Sequence, residues 1–362
     1  MRRRGEDRDR RSHKGSLAAD RPSNVGRRRR TPQSLARNAV RMNTSDGLIL
    51  GIDGGGTKTV AWLARCDFKN DGDLPNATET IGRGHSGSSN VRGVGFETAF
   101  DNLNLAVERA FTDAERSRVT VESACLALAG AGRDVEQQRI RSWAEQCQLA
   151  SKLTVVDDAL PVLYAASPDG VGIALIAGTG SLALGRNENG NMARCGGWGS
   201  LLGDEGSGYQ IALAALRAAV RVDDGRGPAT QLHGRLLEHF VIQSAVELIP
   251  ILHADPNNRI MIASLAPLIF DVAGSGDPVA MQIIDQASTD LAETLKTLIN
   301  RLGMLTQPVS LAGTGSVLIH QPAFTQSIRE KLAESGIETD YRAIPESVAG
   351  TLVIAVGSMT TH

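Results

Sequence analysis

The sequence predicts an α/β protein made of two similar halves with a cleft between them. Short apolar segments of strand length alternate with helical segments from residue 47 onward. This pattern starts again at Val171, directly after the turn formed by Pro168, Asp169 and Gly170. Three of the strands end in a glycine-threonine turn, and α/β proteins bind ligands at such strand ends. A chain of 362 residues is long enough to form two domains with separate cores.

The first half, residues 47–168, is predicted to contain four strands and three helices. The strands are short apolar runs, whereas the helices repeat apolar residues at helical spacing, as Val91 and Val94 do. The predicted strands are Leu48–Asp53, Thr59–Arg65, Ala124–Ala129 and Leu153–Val156, and the predicted helices are Asn90–Phe111, Asp134–Cys147 and Ala159–Ala166.

The second half, residues 169–345, repeats the opening of the first and adds a long helical region. A final helix, within residues 346–362, is expected to pack back on the first domain. The predicted strands are Val171–Ala177, a hairpin of Ser181–Arg186 and Asn191–Cys195, Val309–Ala312 and residues 337–341; the predicted helices are Gly203–Val220, most of 230–302, one between the last two strands, and one from Glu346.

The net charge of −2 conceals a basic head on an acidic body. The first 41 residues carry 13 Arg and one Lys against four acidic residues, whereas the rest of the chain has a net charge of −12. Residues 1–46 lack apolar periodicity, so we expect a disordered, solvated tail or a start codon placed too early, with Met42 as the true start. Contact with nucleic acid through this tail is not expected.

The composition is that of a soluble globular protein, with 41% hydrophobic and 22% charged residues. No apolar run approaches the roughly 20 residues of a membrane span, so we expect no membrane contact. The cysteine usage suits a reducing compartment, so we expect a cytoplasmic location. The four cysteines form no CxxC pair, which argues against a zinc site, an iron–sulfur cluster or a disulfide scaffold.

The three glycine-rich turns are candidate phosphate-binding loops. Glycine lets the backbone approach a phosphate closely, and threonine or serine hydroxyls add donors to its oxygens. Asp53, at the end of the first strand, is positioned to hold Mg²⁺ directly or through water. The loops are Asp53–Thr59, Ala177–Ser181 and Ala312–Ser316.

Two other nucleotide motifs fit this chain less well. A Walker P-loop requires Gly-Lys-Ser/Thr, whereas Lys58 here follows Thr57. Residues 178–183 match a loose Rossmann GxGxxA pattern, but a hairpin rather than a helix is predicted after them, and no acidic residue follows about 20 positions later.

Four segments together resemble the N-acetylglucosamine kinases of the BadF/BadG/BcrA/BcrD ATPase family. They are Ile52–Thr59 (IDGGGTKT), Gly178–Ser181 (GTGS), Cys195–Gly199 (CGGWG) and Gly203–Ser207 (GDEGS). The last two are specific to the sugar kinases, whereas the glycine loops indicate only the wider sugar kinase, Hsp70 and actin fold. The resemblance runs from about Leu48 to the C-terminus.

The resemblance implies two RNase H-like, actin-like ATPase domains that close over ATP, Mg²⁺ and an amino sugar, and it suggests a homodimer. The first, second and third loops correspond to the phosphate-1, phosphate-2 and adenosine motifs, although the third departs from the commoner Gly-Gly form. The implied ATP-binding residues are Gly54, Gly55, Gly56, Thr57, Lys58, Gly178, Thr179, Gly180, Gly313, Thr314 and Gly315, with Asp53 as the metal ligand. The implied sugar-binding residues are Asn90, Asp158, Ser181, Gly197, Trp198, Gly199 and Asp204.

Asp158 is the candidate catalytic base, because phosphoryl transfer needs a base beside the attacking hydroxyl. It lies between a strand and a helix, where aspartate also serves as a helix cap, and Asp157 fits the cap better by position. Capping is likewise the alternative for Asp204 and Glu205, and burial in the core is the alternative for Trp198.

The predicted function is ATP-dependent phosphorylation of an amino sugar, with N-acetylglucosamine and its 6-phosphate as substrate and product. Glucosamine and N-acetylmuramic acid stay open as substrates, because a few loop contacts decide between them. An ATP-driven activator of acyl-CoA dehydratases or reductases is the alternative within the fold, but the cysteine contexts disfavour it. A non-catalytic, DNA-binding sugar sensor is disfavoured because Asp158 and the phosphate loops are present.

Overall fold

The computed structural model describes residues 47–67, 76–254, 258–304 and 308–360. The prediction of a disordered basic tail concerns residues 1–46 and therefore lies outside the described residues.

The first half is built on a five-stranded sheet with the order β3-β2-β1-β4-β5. β1 pairs antiparallel with β2 and parallel with β4, so β1 is the central strand. Its strands are β1 (Gly47–Gly54), β2 (Thr59–Asp67), β3 (Asn76–Ser86), β4 (Val121–Leu128) and β5 (Ala150–Val156), and its helices are α1 (Val91–Asp113), α2 (Asp134–Gln146) and α3 (Leu160–Ala166).

The second half repeats this arrangement. From its antiparallel edge the sheet reads β8-β7-β6-β9-β10, with β6 in the central position that β1 occupies in the first sheet. The matching order confirms the predicted fold of two similar α/β halves. The strands are β6 (Gly172–Ala177), β7 (Ser181–Arg186), β8 (Met192–Gly196), β9 (Val309–Thr314) and β10 (Thr339–Ala343).

Nine α-helices of the described chain follow β8, with one short 3-10 helix, Ala245–Glu247, directly before the third of them. Those between β8 and β9 cover one face of the second sheet and form its largest core, in which Ile211, Leu295 and Ile299 meet Ile173. They are α4 (Gly208–Asp223), α5 (Gln231–Phe240), α6 (Leu248–His253), α7 (Arg259–Ala263), α8 (Ala266–Gly274) and α9 (Pro278–Leu302), then α10 (Ser316–His320), α11 (Pro322–Glu334) and α12 (Val348–Thr360).

Strand β3 was not predicted. Its sequence, NATETIGRGHS, contains one strongly apolar residue, Ile81, and two glycines, so it lacks the alternation that marks a half-buried strand. The glycines are required by packing: a Cβ on Gly82 would lie 2.1 Å from the Ala110 carbonyl, and one on Gly84 would lie 1.9 Å from that of Ala106. Helix α1 therefore approaches β3 at backbone distance.

The predicted start of the helix at Gly203 was wrong. Helix α4 begins at Gly208, and its N-cap is Ser207, whose hydroxyl accepts from Gln210 N at 3.3 Å. Residues 203–206 form a loop instead, in which Asp204 and Gly206 have φ angles of 63° and 73°. Two smaller shifts occur near the C-terminus, where the strand predicted at 337–341 begins at Thr339 and the last helix begins at Val348.

Helices α3 and α12 lie between the two sheets. Leu352 and Val356 of α12 pack on Ile49 and Trp62 of the first sheet. Val162 and Leu163 of α3 instead pack against the second sheet, on a cluster that includes Ala174, Leu184 and Ala312. The two helices touch closely, because a Cβ on Gly350 would lie 1.8 Å from the Pro161 carbonyl oxygen. This contact couples the two halves; where the domain boundary falls along the chain is still a prediction.

Within the described residues no single helix is long and apolar enough to cross a membrane. Two bent helix pairs meet the length and composition requirements together, namely Gln231–Phe240 with Ala245–His253 and Arg259–Gly274 with Pro278–Leu302.

Candidate active site

The first glycine loop closes the β1–β2 hairpin at the centre of the first sheet. Gly55 N donates to Lys58 O at 2.9 Å, which makes a tight turn with Thr57 and Lys58 exposed at its tip. A Cβ on Gly54 would lie 2.0 Å from Ser89 Oγ, so only glycine fits there without displacing the neighbouring segment. The loop thus presents backbone amides and one lysine to solvent.

The second and third glycine loops lie side by side at the ends of β6 and β9. A Cβ on Gly178 would be 3.7 Å from the Gly315 Cα. Gly315 has a φ of 96°, and a Cβ there would lie 2.4 Å from the Ala177 carbonyl, so two separate constraints require glycine. The structure therefore joins these two loops into one glycine-lined surface of the second half.

Asp157 and Asp158 follow β5, and the structure separates their environments. Ala159 N and Leu160 N donate to Asp157 Oδ1 at 3.1 and 3.0 Å, which confirms the expectation that Asp157 caps the following helix. Asp158 is half-buried, and burial together with the nearby charges of Asp157 and Asp53 raises its pKa to about 6. Arg194, from β8 of the second half, opposes this shift and is therefore within electrostatic reach of Asp158.

Asp53 ends β1 beside the first loop. Burial raises the pKa of its carboxyl, whereas the hydroxyl of Ser347, which donates to Oδ2, and the charge of Lys58 act in the opposite direction. Asp53 also raises the pKa of Asp158, so the two carboxyls share one electrostatic environment. Across the described residues, no group of three or more His, Cys, Asp or Glu side chains is placed to hold a metal ion.

Asp204 lies in the GDEGS loop and is only 3% exposed. The backbone N–H groups of Ser181 and Gly199 donate to its carboxylate, and the guanidinium of Arg259 forms an ion pair with Oδ2. Ser181 Oγ also donates to the Glu205 carbonyl at 2.6 Å. Three predicted sugar-site residues are thus joined in one network. The helix cap is Ser207, so capping does not explain Asp204 or Glu205.

The CGGWG segment begins in β8, which ends at Gly196, and continues into the loop that follows. Arg194 Nε donates to Gly196 O at 3.2 Å, and its guanidinium also contacts Gly197 O. Trp198 is 75% exposed, so its alternative assignment to the core was wrong. Leu201 and Leu202 are exposed in the same loop, which leaves an apolar surface next to Asp204 in the chain.

Asn90 is the N-cap of α1, where its Oδ1 accepts from Arg92 N at 3.1 Å. The same segment borders the first glycine loop, because Ser88 Oγ donates to Gly55 O at 3.1 Å. Asn90 Oδ1 would also lie 2.6 Å from a Cβ on Gly130, at the end of β4. Asn90 therefore lies at the same end of the first sheet as the first loop.

A model of the BadF/BadG/BcrA/BcrD ATPase family matches residues 50–355. The chain belongs to this family. An N-acetylmuramic acid/N-acetylglucosamine kinase of Clostridium acetobutylicum is 31% identical over 270 residues, covering 75% of this chain and 85% of that protein. An N-acetyl-D-glucosamine kinase of Dictyostelium discoideum is 30% identical over 296 residues, covering 80% and 92%.

A solved structure shares the fold of this chain. A protein of Chromobacterium violaceum, provisionally called an N-acetylglucosamine kinase, superposes with a TM-score of 0.67 at 21% identity. The alignment covers 86% of this chain and all of that chain. The chain therefore has the architecture of two similar α/β halves that the sequence resemblance implied.

Sequence reasoning missed three side chains of this region: Arg194, Arg259 and Ser347. Each contacts or influences a predicted site residue, yet Arg259 and Ser347 lie 55 and 294 positions from their partners Asp204 and Asp53. Separations of that size carry no local pattern. Arg194 is the exception, because it directly precedes the CGGWG segment and could have been included with it.

Proposed function

We propose that this protein transfers the γ-phosphoryl group of ATP to an amino sugar, converting N-acetylglucosamine to N-acetylglucosamine 6-phosphate. One observation carries the proposal: two relatives that are at least 30% identical over three quarters or more of this chain are both named for N-acetylglucosamine. The carboxylates and glycine loops described above supply groups that such a reaction needs.

Asp158 is the proposed catalytic base. It accepts the proton of the sugar's attacking hydroxyl, whose oxygen then bonds to the γ-phosphorus while the bond to the bridging β–γ oxygen breaks and ADP leaves. A pKa of about 6 keeps Asp158 mostly ionised at neutral pH while leaving it more basic than an ordinary aspartate. Its neighbour Asp157 is engaged with the helix and is left out of this role.

The glycine loops are the proposed ATP site, with Gly54–Lys58 and Gly178–Gly180 on the phosphates and Gly313–Gly315 toward adenosine. Backbone N–H groups at such loops stabilise phosphate oxygens, and Lys58 adds a positive charge. Asp53 fits a Mg²⁺ ligand, because protein Mg²⁺ sites use one or two carboxylates together with water and substrate phosphates. The metal would neutralise charge that develops on the phosphates.

The sugar is proposed to lie against Asn90 of the first half and Ser181, Gly197–Gly199 and Asp204 of the second. A buried carboxylate such as Asp204 is a strong acceptor for sugar hydroxyls, and discrimination between similar sugars rests on few polar contacts of this kind. A homodimer and a cytoplasmic location accompany this proposal as further predictions.

The proposal is tested by measuring ADP release from ATP and Mg²⁺ with purified protein and a panel of sugars. The panel contains N-acetylglucosamine, N-acetylmuramic acid, glucosamine, N-acetylmannosamine and glucose. The proposal expects the highest kcat/KM with N-acetylglucosamine and a 6-phosphate product by NMR. A higher kcat/KM with glucosamine or N-acetylmuramic acid would identify that sugar as the substrate instead. No turnover with any sugar would refute the kinase function.

A further inference from the structure

Arg259 joins the helical region of the second half to the proposed sugar site. It is the first residue of α7, and its guanidinium forms an ion pair with Asp204 Oδ2. A Cβ built on Gly180 would lie 2.8 Å from Arg259 Nη2 and 2.9 Å from Asp204 Oδ2. The pair therefore stands directly against the second glycine loop, between the proposed phosphate and sugar segments.

The Asp204 carboxylate depends on few groups for its charge. Its side chain is only 5% exposed, so solvation by water is largely removed. Two backbone N–H groups, from Ser181 and Gly199, donate to it. Among the described residues, the charged groups that act on it are Arg259, which favours the ionised form, and Glu205, which opposes it.

The two side chains of the ion pair differ in their exposure to solvent. The Arg259 side chain is 39% exposed, whereas that of Asp204 is almost fully buried. The guanidinium has five N–H donors, and its buried Nε has no hydrogen-bond partner among the described residues. The ring of Tyr209 lies 5.9 Å from the guanidinium carbon and supports one side of it.

We propose that Arg259 is a positioning residue of the sugar site, which holds the Asp204 carboxylate ionised and in a fixed orientation so that its other acceptor positions face the sugar hydroxyls. This inference rests on the proposed sugar-kinase function. Arg259 acts through Asp204 and takes no part in proton or phosphoryl transfer.

Loss of the guanidinium leaves a buried carboxylate without a counter-charge. Burial raises the pKa of Asp204 even with the guanidinium in place, so removing the guanidinium raises this pKa further. The protonated acid is a poor acceptor for a hydroxyl. We expect weaker sugar binding with a smaller change in kcat, because the contact between Asp204 and the sugar already exists before the transition state. Raising the pH restores the carboxylate, so the defect in sugar binding shrinks under alkaline conditions.

The test compares the wild type with Arg259→Met, Arg259→Lys and the control Arg235→Met, which breaks an exposed i,i+3 pair with Glu238 on α5. KM for the sugar, KM for ATP and kcat are measured between pH 7 and 9, above the pKa of about 6 of Asp158. Arg259→Met is expected to raise the sugar KM roughly 10- to 100-fold at pH 7, with little change in the KM for ATP. The increase is expected to diminish toward pH 9, and Arg259→Lys is expected to lie between Arg259→Met and the wild type.

A sugar KM that is unchanged in Arg259→Met, or a defect that is equal at pH 7 and 9 and not relieved by lysine, would overturn the inference. If Arg259→Met does not fold, as judged by circular dichroism, Arg259→Lys alone decides by the same pH comparison. Absence of wild-type activity on every sugar would instead refute the proposed function, so the two failures are distinguishable.

Discussion

Asp157 and Asp158 are adjacent and chemically identical, yet the backbone assigns them different surroundings. The Asp157 carboxylate accepts two backbone N–H groups at the start of α3. Asp158 is next to it but has the raised pKa that burial and two neighbouring carboxylates produce. At this scale the candidate base and the helix cap can be separated by experiment.

Asp158→Asn is expected to lower kcat about 10²- to 10⁴-fold, the usual cost of removing a general base. The sugar KM changes less, because the amide keeps the size and a hydrogen-bonding group. Asp157→Asn is the matched control and is expected to retain activity, since asparagine caps helices as well as aspartate does. An inactive Asp157→Asn beside an active Asp158→Asn, in coupled ADP-release assays at saturating ATP, would reverse the assignment.

The raised pKa of Asp158 also predicts a pH dependence of stability. The native state holds the Asp158 proton up to about pH 6, whereas the unfolded state releases it near pH 4. The free energy of unfolding therefore decreases as the pH rises between these values, and the decrease levels off about one pH unit above the native pKa. In Asp158→Asn the amide does not titrate, so this decrease in the free energy of unfolding does not occur. The variant is expected to be more stable than the wild type by about 1–3 kcal/mol at pH 8.

Urea denaturation at pH 4 and pH 8 measures this difference. The two proteins should have nearly equal stability at pH 4, and the advantage of Asp158→Asn should be present at pH 8. In the same range kcat/KM of the wild type is expected to fall as the pH drops below about 6, because the base becomes protonated. A variant less stable than the wild type at pH 8 would contradict the electrostatic account.

Asp53 is the residue through which turnover is expected to depend on Mg²⁺. Asp53→Ala removes the carboxylate beside the first loop, so turnover is expected to fall strongly and to require more Mg²⁺ for half-maximal rate. Sugar binding, measured by calorimetry without ATP, should be nearly unchanged, since the predicted sugar residues are elsewhere. Full wild-type activity in excess chelator would refute the metal requirement.

At the scale of elements, the contact between α3 and α12 determines how the halves are joined. Each helix packs its apolar side on a different sheet, and the two approach each other at Gly350 and Pro161. Ser123 Oγ of β4 adds a polar anchor by donating to the Ala355 carbonyl at 2.8 Å. A change at this contact therefore acts on both sheets at once.

Gly350→Ala is expected to destabilise the protein, because the added methyl would lie 1.8 Å from the Pro161 carbonyl and the helices must separate. Overpacking of this kind costs about 1–3 kcal/mol, which lowers the Tm by several degrees. Gly357→Ala on the same helix is the control, since a Cβ there meets nothing within 4 Å. The control is expected to be neutral or slightly stabilising in a thermal melt, as alanine favours helix; equal Tm values for both variants would contradict the close packing.

For the molecule as a whole, the basic head is expected to be dispensable for both activity and stability. A variant that begins at Met42 retains every candidate site residue and both sheets. Its kcat/KM and Tm are expected to equal those of the full chain, because the composition of residues 1–41 predicts a solvated tail and such tails contribute few contacts. A large loss of either quantity would show that residues 1–41 take part in the fold or the site.

Local patterns in the sequence determined most of the architecture. Apolar runs followed by glycine-threonine turns predicted β1, β6 and β9 and the three loops. A strand end and a tight turn each produce a recognisable pattern within a few residues. The capping role of Asp157 was also local, since it depends on the position of one side chain relative to the next helix turn. Strand β3 has no such local pattern and was not predicted. Its two glycines allow close packing against α1, and this packing stabilises the strand without apolar alternation.

Tertiary structure alone decided which distant groups surround the functional carboxylates. Arg259 reaches Asp204 across 55 residues and Ser347 reaches Asp53 across 294, and nothing in either segment indicates its partner. The conformation of Asp204, with a φ of 63° in a loop predicted as helix, likewise depends on the N–H groups and the guanidinium that hold its side chain. The physical reason is that pKa and hydrogen bonding respond to groups within a few ångströms in space, and only the folded chain brings those groups together.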